Sequence, residues 1–170
     1  MSLNKKIAAF FIILFLTTFS QVQAQEVKKI GKYKDWEAMV VSEASGKVCF
    51  AQSSPILQAP KTNKRDAKLF VAFRPNESIT NEVSVTPGYE FNKSNSVTAA
   101  SGKNKFKFDI KEQGFAWIAD NKIELKMIKQ MRKGSRLMVT GYNQKGSQTI
   151  DHYSLLGFTK AYNASRKACS

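Results

Sequence analysis

Apolar residues recur along the chain in the short runs that are typical of β-strands. Runs rich in valine and phenylalanine occupy residues 36–41, 47–52 and 68–74. Gly46 and a loop at residues 55–65 separate these runs, as turns and loops separate strands. Short strands bounded by turn residues predict an all-β protein, in which two sheets pack as a sandwich.

Three further segments extend this pattern. Residues 105–110 alternate strictly, so we expect one strand face to carry their apolar members Phe106, Phe108 and Ile110. Two more strands are expected at residues 136–142 and 148–155, with a hairpin turn between them at residues 143–146. Most of the chain therefore has strand periodicity.

Two segments have helical spacing instead. Apolar residues recur every three or four positions over Asn121–Lys133, where Asp120 is suited to cap the start and Gly134 to end the helix. A second helical pattern covers residues 159–169 and places Cys169 on its apolar side. We predict one inner helix and one short C-terminal helix.

The N-terminus has the three parts of an export signal. Lys5 and Lys6 precede an apolar run of 13 residues at positions 7–19, and residues 22–24 form a small-residue cleavage site. The run is shorter than the roughly 20 residues of a membrane-spanning helix. We expect residues 1–24 to be a cleaved signal peptide and residues 25–170 to form a single domain, without a transmembrane segment after cleavage.

Export also indicates the chemical state of the two cysteines. Cys49 and Cys169 would meet in an oxidising compartment, where a pair of cysteines in a small domain commonly forms a disulfide. Free thiols and an intermolecular bridge are the alternatives. A metal site would need more ligands than two sulfurs and the single histidine, His152. We therefore predict a Cys49–Cys169 bond and no metal or other cofactor.

The large aromatic residues have two interpretations. We expect these side chains to fill the core between the sheets, and stacking on a sugar is the alternative. The residues are Trp36, Phe106, Phe108 and Trp117.

Several short segments occur along the chain in an order that resembles the invasion-associated locus B family. The matching positions span about residues 30–169 and are Trp36, 46–49, 74–75, 82–85, 88–89, 116–117, 139–141 and 153–161. The resemblance implies an exported alphaproteobacterial protein with an immunoglobulin-like sandwich fold. No catalytic residues are established for the family, so the resemblance implies none here.

A catalytic role finds little support in the residues themselves. A hydrolase would need a serine and a carboxylate around His152, but the neighbouring Asp151 points to the opposite face of a strand. The chain has no phosphate-binding loop or nucleophile-elbow motif. We expect a binding protein that is not an enzyme, with an uncharacterised hydrolase as the least favoured reading.

Charge indicates what such a protein would bind. The chain has 27 Lys and Arg against 13 Asp and Glu, a net charge of +14, and loss of two lysines with the signal leaves +12. Clusters of basic residues occur at Lys61, Lys64 and Arg65; at Lys103, Lys105 and Lys107; around the inner helix at Lys126, Lys129, Arg132, Lys133 and Arg136; and at Lys160, Arg166 and Lys167.

We assign anion binding to the cluster around the inner helix. An excess of positive charge attracts phosphate or carboxylate arrays such as those of the cell envelope, including a membrane surface. Export removes the protein from the cell's nucleic acids, which are not expected partners. We therefore expect a periplasmic or secreted protein that binds an anionic envelope component. A protein-binding or chaperone-like module in the periplasm is the alternative.

Overall fold

The computed structural model describes residues 26–62 and 64–170, and the predicted signal peptide at residues 1–24 lies outside the described residues. Two antiparallel sheets and two helices make up this part of the chain. The prediction of an all-β, immunoglobulin-like sandwich with one inner helix and a short C-terminal helix is confirmed.

Seven strands form the larger sheet. In spatial order they are β1 (Val27–Tyr33), β2 (Trp36–Glu43), β3 (Gly46–Ser53), β5 (Lys68–Arg74), β6 (Ile79–Thr86), β10 (Phe115–Trp117) and β9 (Ile110–Glu112).

Five strands form the smaller sheet. Their spatial order is β4 (Leu57–Ala59), β12 (Gln148–Ser154), β11 (Arg136–Tyr142), β7 (Val97–Ser101) and β8 (Asn104–Phe108). The predicted hairpin turn joins β11 and β12, and the Gly146 N–H donates to the Asn143 carbonyl at 2.8 Å. Strands β8, β11 and β12 lie on segments predicted to be strands, whereas β4 lies inside the segment expected to be a loop.

The core lies between the two sheets and beneath both helices. Leu69 and Val71 of β5 belong to the same core cluster as Leu137 of β11, and all three side chains are fully buried. Trp36 is likewise fully buried, and its indole N–H donates to the Ser154 carbonyl of β12 at 2.9 Å. This hydrogen bond joins β2 of the larger sheet to β12 of the smaller sheet.

Two expectations about apolar residues are wrong. β8 ends at Phe108, and Ile110 lies in β9 of the other sheet with 47% of its surface exposed. The chain crosses between the sheets at Asp109, so the alternation of residues 105–110 is interrupted. Trp117 is half-buried and its side chain is on the opposite sheet face from its buried neighbour Ala116, so it lies outside the core.

Helix α1 (Asn121–Lys133) has the predicted bounds. The Asp120 carboxylate accepts a hydrogen bond from the Lys122 N–H at 2.7 Å, which caps the free donors at the helix start. Met127, Ile128 and Met131 are buried in the core. The predicted apolar face therefore anchors the helix.

Helix α2 (Phe158–Ala168) begins one residue earlier than predicted, and Cys169 follows its last turn. Gly157 precedes it with φ +92°, and a Cβ built there would lie 1.8 Å from the Tyr33 carbonyl oxygen. Only glycine fits both the backbone conformation and this close approach. The helix can therefore enter directly over the end of β1.

A disulfide joins Cys49 of β3 to Cys169, as predicted, across a sequence separation of 120. Cys49 is fully buried, and α2 packs along β2 and β3 beside it. The bond fastens the end of the last helix to the larger sheet.

We expect the variant with Cys49→Ala and Cys169→Ala together to lose up to about 4–5 kcal/mol of the free energy of unfolding, because closure of so long a loop restricts the unfolded chain. Urea denaturation measures the loss, and the reduced native protein serves as the control. Thiol labelling of the oxidised protein should find no free thiol. A double variant as stable as the oxidised protein would contradict the assignment of this bond as a stabilising one.

Candidate functional site

A groove of about 590 Å³ runs between α1 and β8, the edge strand of the smaller sheet. Its most frequent lining residue is lysine, with three from the helix and two from the strand: Lys126, Lys129, Lys133, Lys105 and Lys107. Asp109 is the single acidic residue in the lining. The groove therefore has a strong excess of positive charge.

The sequence builds the two walls from different periodicities. Lys126, Lys129 and Lys133 recur at three- and four-residue intervals, so they share one side of α1. Lys105 and Lys107 alternate along β8 with side chains that enter the core. All five lysines are exposed.

The floor of the groove is apolar. Phe106 is 9% exposed and the partly buried Ile123 packs against the core beside it. A hydrogen bond of 3.0 Å from the Asn104 amide to the Gln130 side chain connects strand and helix. The groove thus combines charged walls with an apolar base.

One ion pair lies at the mouth of the groove. Lys107 Nζ is 3.5 Å from Asp109 Oδ1, and the two side chains are 62% and 45% exposed. An exposed pair of this kind is weak because water screens it. Lys107 therefore remains available to a ligand with more than one negative charge.

Glu124 holds α1 against the larger sheet. Its carboxylate accepts a hydrogen bond of 2.7 Å from the Val83 N–H of β6, and the residue is 7% exposed. Burial raises the pKa of Glu124 to about 7; the Val83 hydrogen bond opposes this, and the nearby Glu82 and Asp120 add to it. The position of the groove's helical wall thus depends on a carboxyl group that titrates near neutrality.

Two of the five residues assigned to anion binding lie outside the groove. The Arg132 guanidinium stacks over the Tyr162 ring of α2, 4.5 Å from its centroid, and so bridges the helices. Arg136 is exposed at the start of β11, where its backbone carbonyl accepts a hydrogen bond from the Ser101 hydroxyl. The structure brings the other three together with Lys105 and Lys107.

Arg65, in another basic cluster, is structural. Its guanidinium donates to both carboxylate oxygens of Asp151, at 3.0 and 2.6 Å, and to the Pro87 carbonyl. The Arg65 and Asp151 side chains are 10% and 3% exposed. This pair fastens the segment before β5 to β12.

The same pair removes Asp151 from any catalytic arrangement with His152. His152 Nδ1 is buried and makes no hydrogen bond to the described residues. Across the described ranges, no group of three His, Cys, Asp or Glu side chains is placed to hold a metal ion. None of the helices in the described part of the chain is long and apolar enough to cross a membrane.

Comparison with known proteins connects this architecture to a family. The family model described as Invasion associated locus B (IalB) protein matches residues 36–166. The chain belongs to the IalB family. The match extends from the buried Trp36 of β2 into the last turns of α2, so it includes both walls of the groove.

A solved IalB structure has the same fold. The crystal structure of invasion associated protein b from Bartonella henselae aligns with 83% of this chain and 97% of its own, with a TM-score of 0.58 and 17% sequence identity. At this identity the likeness concerns the fold. No curated protein matches the chain.

The raised pKa of Glu124 predicts a specific pH dependence. A carboxyl whose pKa is higher in the folded chain stabilises the fold when protonated, so its contribution is lost as pH rises from 4.5 through about 7. Glu124→Gln is uncharged and keeps an acceptor for the Val83 N–H. We expect the melting temperature of this variant, relative to the native protein, to be higher at about pH 8 than at about pH 5.

Thermal unfolding at both pH values measures this difference. Glu77→Gln removes one charge from an exposed position and is the matched control. An equal difference for Glu124→Gln at the two pH values would contradict the predicted titration.

Arg65→Ala should destabilise the fold by about 3–5 kcal/mol, because it leaves the buried Asp151 carboxylate without its partner. Lys64→Ala, at the adjacent exposed position, should change stability by less than about 0.5 kcal/mol. Chemical denaturation of both variants checks the distinction. Equal small losses would show that the ion pair contributes little.

Proposed function

We propose that this IalB-family protein acts after export, in the periplasm or as a secreted protein, by binding an anionic component of the cell envelope in the lysine-lined groove. The protein performs no catalytic turnover in this role. The observation that carries the proposal is the convergence of five lysines from two separate elements on one groove.

The chemistry of the groove suits a ligand with several negative charges. Each lysine ammonium offers three donors on a flexible stem, so the walls can adapt to phosphate or carboxylate groups at varied spacing. The net charge of the chain adds a long-range attraction toward anionic surfaces. Phosphate groups of lipids and lipopolysaccharide have this chemistry.

The apolar floor adds a second requirement. Phe106 and Ile123 lie between the charged walls, where a fully hydrated ion would leave apolar surface in contact with water. A ligand that combines anionic groups with an apolar or sugar portion fills both parts of the groove. This favours an amphipathic envelope molecule over a simple anion.

A role in contact with a host surface is consistent with the name of the family, Invasion associated locus B. The charged, apolar and small-residue parts of residues 1–24 support export, which the proposal requires. The proposal therefore assigns the binding step to the envelope or to the outer surface of the cell.

A protein-binding or chaperone-like module is the second candidate. β8 pairs with β7 on one side and forms the edge of its sheet, so an extended peptide could add to it as a further strand. Main-chain hydrogen bonds would then supply much of the affinity. Such binding would depend far less on salt than binding of a polyanion.

Charge reversal at the groove tests the proposal. We expect Lys126→Glu, Lys129→Glu and Lys133→Glu in one protein to weaken binding to phosphatidylglycerol-containing vesicles by about 100-fold, at about 1 kcal/mol for each lysine near an anionic surface. Native affinity should fall steeply between low and physiological salt. Vesicle co-sedimentation and titration with lipopolysaccharide measure both effects.

The control carries the same change in charge at exposed positions elsewhere: Lys28→Glu, Lys61→Glu and Lys145→Glu. Circular dichroism should show that both triple variants remain folded. Equal losses in the two variants would mean that net charge, and not the groove, attracts the vesicles. Binding that is insensitive to salt and to both variants would favour the protein-binding candidate.

A further inference from the structure

The outer face of the larger sheet carries a continuous aromatic surface. Side chains alternate along β5, so Leu69 and Val71 enter the core while Phe70 points to the outer face. Phe70 lies next to Phe50 of β3 on one side and Phe115 of β10 on the other, with ring centroids 5.9 and 6.1 Å apart.

The surface continues beyond Phe115. Trp117 stacks on Phe115 at 5.6 Å, and Ile110 is its direct partner across the ladder between β9 and β10. The aromatic residues are half-buried and Ile110 is 47% exposed. The apolar row thus spans the sheet from β3 to its edge strand β9.

The packed elements lie on the other side of this sheet. Phe158 and Tyr162 of α2 contact Trp36 and Phe73, which face the core, and the buried residues of α1 join the same core cluster. Among the described elements, both helices and the smaller sheet therefore cover the inner face. The outer face has the composition of a sheet surface that packs against another sheet.

Lys29 and Arg74, beside this surface, each lie near carboxylates. Lys29 Nζ lies 2.6 Å from Glu37, and Arg74 lies 3.8 Å from Glu43 and 3.6 Å from Glu82. The rest of the chain has a large excess of lysine. The aromatic face is thus a surface at which two strongly basic molecules can meet without bringing unpaired positive charges together.

The rings are arranged for packing against a sheet. Phe115 and Trp117 are 26° from parallel and stack on each other, and Phe50 meets Phe70 edge to face at 67°. The stacked pair occupies one face of the Phe115 ring and one face of the Trp117 ring, whereas a sugar stacks on a ring face that is open to solvent. The aromatic edges and intervening small side chains form a ridged surface that can interdigitate with a copy of itself.

The size of the face also suits a dimer. Strands β3, β5 and β6 have seven or eight residues, whereas β9 and β10 have three each. At about 4.8 Å between strands and about 3.3 Å per residue, the five together project over roughly 450 Å². Side-chain relief raises the accessible area toward the roughly 800 Å² per partner of a standard interface. A two-fold axis through the centre of the face would bring identical surfaces together.

We propose that two copies of this chain associate through the outer faces of their larger sheets, with Phe70 and Trp117 near the centre of a two-fold interface. The groove between α1 and β8 lies outside this interface, so each copy keeps its own groove accessible.

Analytical ultracentrifugation of the processed protein tests the association across a range of concentrations. The native protein should dimerise in a concentration-dependent manner. Trp117→Lys should raise the dissociation constant at least about tenfold, since it removes a central aromatic residue and places like charges together. Ile110→Glu, at a largely exposed position that tolerates charge, should have an effect in the same direction.

Leu156→Glu is the matched control, because Leu156 is an apolar residue of 60% exposure in the turn before α2, remote from this face. It should leave the dissociation constant unchanged. A native protein that stays monomeric at millimolar concentration, or that dimerises equally well with Ile110→Glu, would overturn the proposal. A monomer whose Trp117 fluorescence shifts on addition of a neutral oligosaccharide would assign the face to a glycan instead.

Discussion

The buried indole of Trp36 is the contact on which the arrangement of the two sheets depends. Its ring fills space between β2 and α2, 4.8 Å from the Phe158 ring, while its N–H donates to the Ser154 carbonyl of β12. A buried donor without this acceptor would cost about 1–3 kcal/mol, so the indole permits few relative positions of the sheets. The start of α2, and with it the site of Cys169, follows from that position.

Charge is distributed unevenly around this frame, although the sequence is basic nearly throughout. Arg65 is neutralised by Asp151 in the interior, and Arg74 is shared by two glutamates beside the aromatic face. Among the residues that line the groove, Asp109 is the single acidic residue beside five lysines of α1 and β8. Net charge therefore describes the whole molecule, but it is the location of the acidic residues that separates a basic groove from a neutral sheet.

The local sequence pattern predicts where the helices and strands of this fold lie along the chain better than it predicts which of them lie side by side in space. The bounds of α1 could be read from its spacing and from Asp120, because capping is a short-range interaction. The change of sheet at Asp109, which exposes Ile110, has no local signal. The sequence likewise reveals the lysines of α1 but not that β8 lies opposite them, because strand order is decided by packing between distant segments.

The covalent link from β3 to Cys169 has a mechanical consequence. A pull on the chain beyond Cys169 is transmitted through the sulfur atoms to β3, inside the larger sheet. The last turn of α2 therefore cannot detach from the sheet while the disulfide is intact, whereas a helix held only by side-chain packing can detach from its end. A protease that cuts within any loop between residues 49 and 169 would also leave the two pieces covalently attached.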